Sequence, residues 1–212
     1  RYRIEKRKSL SYQTIYRHVG RNSHLKPYLK YVYKRGCGRQ HQREIRSHTL
    51  LSIHQRPISA NNRSRYGHWE RDGMYGLNRN QLLVCQERKS RYVKLAIMET
   101  TKAEETNLLT QKLLKTEKVL SITNDNGTEF RRPETSNYPI YYCDPFSPNQ
   151  RGSVENVIGT LRNKIKRSTD IKAFTDVDLN AIENWINKRP RKMFNYRTPY
   201  EVYLKQKVAL VM

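Results

Sequence analysis

A chain of 212 residues with 42 Lys+Arg against 19 Asp+Glu carries a formal charge of +23, more than solubility requires, and this excess points to a polyanionic partner. No apolar stretch approaches the ~20 residues of a membrane-spanning helix, and the opening RYRIEKRKSL lacks the apolar centre of a secretory signal. Cys37, Cys85 and Cys143 form no Cys-x-x-Cys motif and are odd in number, so a disulfide framework is not expected and a reducing, cytoplasmic setting fits. A start at Arg1 in place of methionine suggests that a longer natural N-terminus precedes it.

The charge is uneven. Residues 1–66 carry 17 basic and 2 acidic side chains, residues 67–212 carry 25 and 17, so the first third reads as a basic arm or linker and 67–212 as a more balanced domain. Such asymmetry favours nucleic acid over a membrane surface.

In chain order, SLSYQTIYRHV offers Ser9 or Ser11 as an N-cap and Ile15, Tyr16 and Val19 at helical spacing. This predicts a short amphipathic helix over 11–19, either the remnant of a helix-turn-helix or a helix docked on the core. From Leu29 to Tyr66 there is little periodicity and much Lys, Arg, Gln and Ser, with Tyr31 and Tyr33 near the start; the segment reads as an arm that tracks phosphates. Cys37, His41, His48 and His54 are zinc-ligand types, but their spacing matches no recognised finger, and histidines in a basic arm are more often solvated.

From Gly67 the pattern changes. HWERDGMYG, QLLVCQER and RYVKLAIME are short β-prone runs separated by turn signals, which predicts an antiparallel meander. KAEETNLLTQKLLKTE, with Ala103, Leu108, Leu109, Leu113 and Leu114 in helical register, predicts a crossover helix. KVLSITND supplies a fourth strand and PIYYC a fifth. SPNQRGSVENVIGTLRNKIKR predicts a helix with Val154, Val157, Ile158, Leu161 and Ile165 as its apolar stripe, and 176–188 another that buries Leu179, Ile182, Trp185 and Ile186. The order β-β-β-α-β-α/loop-β-α-α is that of an RNase H-like α/β fold: a mixed five-stranded sheet flanked by helices, preceded here by a basic helical or extended arm.

In that layout the first and fourth strands are neighbours, so acids on them converge. The first strand carries Glu70 and Asp72 on one face, and Gly73 favours Asp72 as the open position. The fourth ends in SITNDNGTEF, where Asn126-Gly127 signals a turn; the bend leaves Asp125 exposed at the strand tip. Glu155, at the edge of the apolar stripe, is the third candidate, although alone it also reads as a solvated glutamate favoured by the helix dipole. Three such acids suit two-metal phosphoryl transfer, because magnesium takes oxygen ligands and keeps several waters. Surrounding basic residues, Arg63 and Arg65 in the arm and Arg162, Lys164, Lys166 and Arg167 on and after the helix, would hold a DNA backbone.

GHWERDGMYG, CQERKSRYV, ITNDNGTEF, DPFSPNQRGSVENVIGTLR and NKRPRKMFNYRTPYEVY resemble, in order, the motifs of insertion-sequence-thirty-type DDE transposases. The resemblance runs from about Gly67 to Tyr203, with a weaker echo in SYQTIYRHV. It implies a retroviral-integrase-like catalytic core of RNase H-like fold that cuts and joins DNA at the ends of a mobile element, using two Mg²⁺ ions, for which Mn²⁺ substitutes. It further implies double-stranded DNA, at element ends and target, as partner, a homodimer or larger assembly when DNA is bound, no membrane, and a nucleoid-associated location in a bacterium or archaeon. Carried over position by position, Asp72, Asp125 and Glu155 are the catalytic, metal-binding acids. Arg151 contacts DNA, and Asn126, Gly127, Gln150, Gly152 and Asn156 shape the site. The chain departs from the family pattern at Asn124, Asn149 and Val154 and in a shortened RRPETSNYP loop, without losing an acid. A relative that binds DNA as a repressor or architectural protein is the alternative, motivated by the arm's +15 charge (17 − 2). An RNase H-type nuclease acting on RNA/DNA hybrids would share the metal site but not the motifs from Asp144 to Tyr200.

Overall fold

The computed structural model describes residues 12–22, 24–25, 50–145 and 147–209, and the chain divides into two compact units between Arg46 and Ser47. In the first, helix α1 spans Tyr12–Arg21, slightly beyond the stretch predicted. It ends where Asn22 Nδ2 donates to the His18 carbonyl at 3.0 Å, a side chain taking the place of a further helical N–H. The remainder of the predicted arm up to residue 49, with Cys37, His41 and His48, lies outside the described residues.

The second unit contains β1 (Leu51–Ser52), α2 (Ile58–Asn61), β2 (His68–Tyr75), β3 (Gln81–Glu87), β4 (Val93–Met98), α3 (Ala103–Leu113), β5 (Ser121–Asn124), β6 (Ile140–Tyr142), α4 (Gly152–Leu161), α5 (Asp176–Asn187) and α6 (Pro199–Ala209). The sheet has six strands, in the order β1-β6-β5-β2-β3-β4, against the five predicted. β2, β3 and β4 form the antiparallel meander, while β5, β6 and β1 add parallel strands on the other side. The extra strand comes from the segment read as arm. Residues 50–66 are tied to the sheet: Arg56 Nη1 donates to Thr123 Oγ1 on β5 at 3.0 Å, and the Ala60 carbonyl accepts from Arg88 Nε at 2.8 Å. His68 bridges the Ser59 and Ser121 hydroxyls at 2.9 and 2.8 Å. Paired polar groups, and little hydrophobic period, hold this segment, which is why its composition resembles a solvated arm.

Both faces of the sheet are covered, and β3 is buried along its whole length. Leu82, Val84, Val93 and Leu95 meet Val154, Val157, Leu161, Leu179 and Ile186 from α4 and α5 on one face. Leu83, Cys85, Trp69 and Ile122 meet Leu114, Phe130 and Tyr203 on the other. Helix α6 was not predicted; its Tyr203 stacks on Tyr92 with ring centroids 4.5 Å apart. On α3 the burial also differs from expectation. Thr106, Asn107 and Thr110 are the buried positions, while Leu108 is exposed. The reason is Arg71, a fully buried arginine on β2 that requires polar acceptors from the helix above it.

Helix α5 closes the free edge of β4 with side chains. Asn187 Oδ1 accepts the Val93 N–H and its Nδ2 donates to the Val93 carbonyl, both at 2.8 Å, and Glu183 Oε1 accepts the Leu95 N–H at 2.6 Å. An amide side chain thus imitates a neighbouring strand, and the backbone groups of an edge that would otherwise invite pairing are satisfied. Replacing Asn187 with Leu strands both Val93 groups in a buried place. The expected loss is about 2–4 kcal/mol in urea unfolding, whereas Lys188→Gln, at an exposed neighbour, leaves the midpoint unchanged.

Candidate active site

Parallel pairing of β2 with β5 sets Glu70 opposite Thr123. Continued by two residues, this register brings Asp125 level with Asp72, so the two carboxylates emerge side by side at the strand ends. A buried frame braces them on the opposite face. Arg71 Nε donates to Asn124 Oδ1 at 2.8 Å, and its two Nη atoms donate to Thr110 Oγ1 and Asn107 Oδ1, each at 2.7 Å, with the guanidinium 5.0 Å from the Phe130 ring centroid. Every acceptor is neutral, and burial holds the Arg71 pKa down to about 10. Nothing in the pattern of HWERDGMY announces this residue, because a strand arginine ordinarily faces solvent.

The two acids of β2 have different surroundings. Glu70 is completely buried, pairs with Arg88 and accepts the Val154 N–H at 3.1 Å, so it fastens β2 to the first turn of α4. Asp72 keeps 18% of its side chain exposed, and Asp125 keeps 39%. Asp72 Oδ1 accepts the adjacent Gly73 N–H at 2.8 Å, and Asp125 Oδ1 accepts the Gly127 N–H at 3.0 Å, which forms the turn expected of Asp-Asn-Gly. A Cβ at Gly127 would meet the Glu129 carboxylate at 2.8 Å and Asp125 Oδ1 at 3.0 Å, so a larger residue in this bend would push the Glu129 side chain aside.

Arg151, just before α4, spans the pair. Its Nη1 lies 3.3 Å from Asp72 Oδ2 and its Nη2 3.1 Å from Asp125 Oδ2, and Nη1 also reaches the Arg71 carbonyl at 3.3 Å. Glu155, four residues further along, is exposed and is not gathered with the aspartates. Among the described residues no three His, Cys, Asp or Glu side chains are grouped closely enough to hold a metal ion.

The other predicted residues fall in two sets. Near the acids, Asn126 Nδ2 donates to the Cys143 carbonyl at 2.7 Å. Gln150 clamps Asp144, accepting its N–H at 2.8 Å and donating to Oδ2 at 2.7 Å; the same Asp144 carboxylate pairs with His54 at 2.8 Å. Gly152 begins α4, and Asn156 is exposed on it. Farther along, Lys164 lies over the Trp185 ring at 5.1 Å, Lys166, Arg167 and Arg65 are exposed, and Arg162 is half-buried. Arg63 Nη2 donates to Ser153 Oγ at 3.2 Å. Sequence reasoning missed Arg91, which donates to the same hydroxyl; its place in the β3–β4 turn was visible in QERKSRYV, its direction was not.

Burial raises the Asp72 pKa and Asp125 raises it further, with Arg151 opposing both. A carboxyl whose folded pKa lies above its unfolded value favours the fold when protonated, so its contribution is lost as pH rises through that window. Asp72→Asn is therefore expected to raise the thermal midpoint at pH 7, without divalent ions, by about 2–4 °C, with the gain vanishing below the ordinary aspartate range. A variant melting below wild type at pH 7 would show that the Arg151 pairing outweighs burial.

No family model matches the chain. Over 161 residues it is 37% identical to the transposase for insertion sequence element IS1086 of Cupriavidus metallidurans, a match covering 72% of this chain and 48% of that one. It is 32% identical over 185 residues to transposase InsI for insertion sequence element IS30A of Escherichia coli K12, covering 82% and 48%. Over 216 residues it is 29% identical to the transposase for insertion sequence element IS4351 of Bacteroides fragilis, covering 96% and 66%. The chain thus spans about half the length of the first two of these curated relatives. Among solved structures, the catalytic core domain of BIV integrase matches with a TM-score of 0.52 and 20% identity, over 69% of this chain and 99% of that domain, which establishes the integrase-core, RNase H-like fold. Several relatives of one kind align over most of the chain, so by sequence it is similar to the transposases of IS30-type insertion elements.

Proposed function

We propose that this chain is the catalytic part of a DNA transposase that cuts DNA at the ends of an insertion sequence and joins it to a target. The observation that carries the reading is the pair Asp72 and Asp125, from adjacent parallel strands, sharing one positive group beside the start of α4. Two carboxylates held this close attract a cation, and their oxygens are the donors that magnesium takes. Asp72 and Asp125 would hold Mg²⁺, with Mn²⁺ able to substitute, and Glu155 would complete a site for two ions only on leaving its exposed place apart from the pair. Bound there, the ions would neutralise phosphate charge and make water a stronger nucleophile.

The chain's own residues prepare that chemistry. Arg151 balances the acidic pair and must release at least one carboxylate before a metal takes its place. Gly127 and Asn126 keep the Asp125 tip turned outward, and the Arg71 frame keeps the two tips level. Arg162, Lys164, Lys166, Arg167 and Arg65 supply positive charge for the backbone of double-stranded DNA, as does the basic N-terminal unit. Both reaction steps are in-line displacements at phosphorus. Water attacks the element end and a bridging oxygen leaves as the 3′-hydroxyl; that hydroxyl then attacks a target phosphodiester and expels another 3′-oxygen. Two ends must meet in one reaction, so a homodimer or larger assembly acts when DNA is bound. A relative that binds DNA without cutting is the second reading, favoured by Arg151 closing the pair and by Glu155 standing apart.

Incubation of the chain with its flanking DNA and Mg²⁺ or Mn²⁺, with nicks mapped at nucleotide resolution, separates these readings. Asp72→Asn, Asp125→Asn and Glu155→Gln are each expected to lower cleavage and joining roughly a thousandfold or more while DNA binding persists. A variant that still joins DNA removes its acid from the mechanism, and absence of any nick from wild type supports the non-cutting reading.

A further inference from the structure

Beside the acidic pair the structure places a second, wholly basic feature. Arg63, in the loop before β2, and Arg91, in the β3–β4 turn, both donate to the Ser153 hydroxyl, the former from 3.2 Å. Ser153 stands two residues after Arg151 and two before Glu155. Both arginines have left-handed backbones, with φ of 56° and 64°, a conformation that non-glycine residues adopt at some energetic disadvantage. Two unrelated loops therefore each hold a disfavoured geometry that aims a guanidinium at one hydroxyl.

The loops are fastened so that the convergence persists. Lys89 Nζ donates to the Ser64 carbonyl at 2.7 Å and lies 4.2 Å from the Tyr66 ring centroid. Arg88 Nε donates to the Ala60 carbonyl at 2.8 Å. Glu87 closes the turn, accepting the Ser90 N–H and hydroxyl, each at 2.6 Å, and the Gly67 N–H at 3.2 Å.

Neither arginine has an ion pair among the described residues. The nearby acids are committed elsewhere, Glu87 to the turn and Glu70 to Arg88 and the Val154 N–H. Burial and the charge of Arg63 bring the Arg91 pKa down to about 10, with Glu87 opposing them and Arg191 adding to the repulsion. Guanidinium groups brought together with no carboxylate bonded to either repel one another unless an anion joins them. Arg63 is exposed and Arg91 and Ser153 are half-buried, so an incoming group can reach all three.

We propose that Arg63, Arg91 and Ser153 form a binding site for a single backbone phosphate of DNA, one that fixes the register of the strand entering the Asp72–Asp125 site. Two guanidinium groups and a hydroxyl match the non-bridging oxygens of a phosphodiester, and such contacts position a nucleic acid without reading its sequence. The inference rests on the reading of the chain as a DNA-acting protein and adds to it the point at which the backbone is gripped.

The test is DNA binding by the full 212-residue chain across a salt series, with element-end duplexes in which one phosphate at a time is replaced by a neutral methylphosphonate. Each bound phosphate contributes a slope of about −0.9 to log K against log salt. If Arg63 and Arg91 share one phosphate, Arg63→Gln with Arg91→Gln makes the slope shallower by about 1 and not about 2. One methylphosphonate position then weakens wild type but not the double variant. Arg63→Gln alone, at an exposed side chain, should lose part of the effect and repeats the test should Arg91→Gln disturb the turn. A salt slope equal to wild type, or equal losses from every methylphosphonate in both proteins, overturns the shared site. Wild type that binds no duplex at any salt concentration overturns the DNA reading beneath it.

Discussion

The register between β2 and β5 is the constraint on which the candidate site depends. Parallel strands from distant parts of the chain meet with Glu70 opposite Thr123, and this places two aspartates together without direct sequence proximity. A slip of one residue would turn Asp125 to the opposite face. The register is secured by polar anchors on both sides of the sheet. On one, Arg71 joins β2 to Asn124 at the end of β5 and to two residues of α3; on the other, Glu70 joins β2 to Arg88 and to the first turn of α4. Removing one partner from such a network leaves a buried charge or donor uncompensated, so these contacts specify the arrangement more than they add to stability.

Placing helix α4 at that point has electrostatic consequences. Its start carries Arg151 to the acidic pair, Ser153 to two further arginines, and Glu155 to the surface beyond. Negative charge at the strand tips and positive charge around them thus lie within one turn of helix. An acidic pair with arginines along the same helix start suits a polyanion that must approach carboxylates, because the arginines attract phosphate where the acids alone would repel it. The same arrangement sets Arg151 between Asp72 and Asp125, where its guanidinium balances both carboxylates.

Much of the fold was legible because the apolar pattern is strong where the strands are. QLLVC, VKLAIM and SIT each form a strand, and the stripe Val154, Val157, Leu161 and Ile165 is buried as its spacing implies. Patterning failed where buried contacts are polar. Arg71 turns the inner face of α3 to Thr and Asn, and Arg56 and His68 hold residues 50–66 against the sheet, which hid a sixth strand inside a basic segment. The nearness of Asp72 to Asp125 was legible because the strand order sets β2 beside β5. Their bridging by Arg151 and the paired arginines on Ser153 depend on loop geometry between residues far apart in sequence, which no local pattern encodes.

The central claim is that the Asp72–Asp125 pair is a cation site provisionally balanced by Arg151. It is tested most directly by Mn²⁺ binding, followed by electron paramagnetic resonance of the free ion, in wild type, Asp72→Asn, Asp125→Asn and Arg151→Gln. The account predicts binding in wild type, its loss in both asparagine variants, and tighter binding once the competing guanidinium is gone. Binding that is indifferent to either aspartate, or weakened by removal of the arginine, would contradict it.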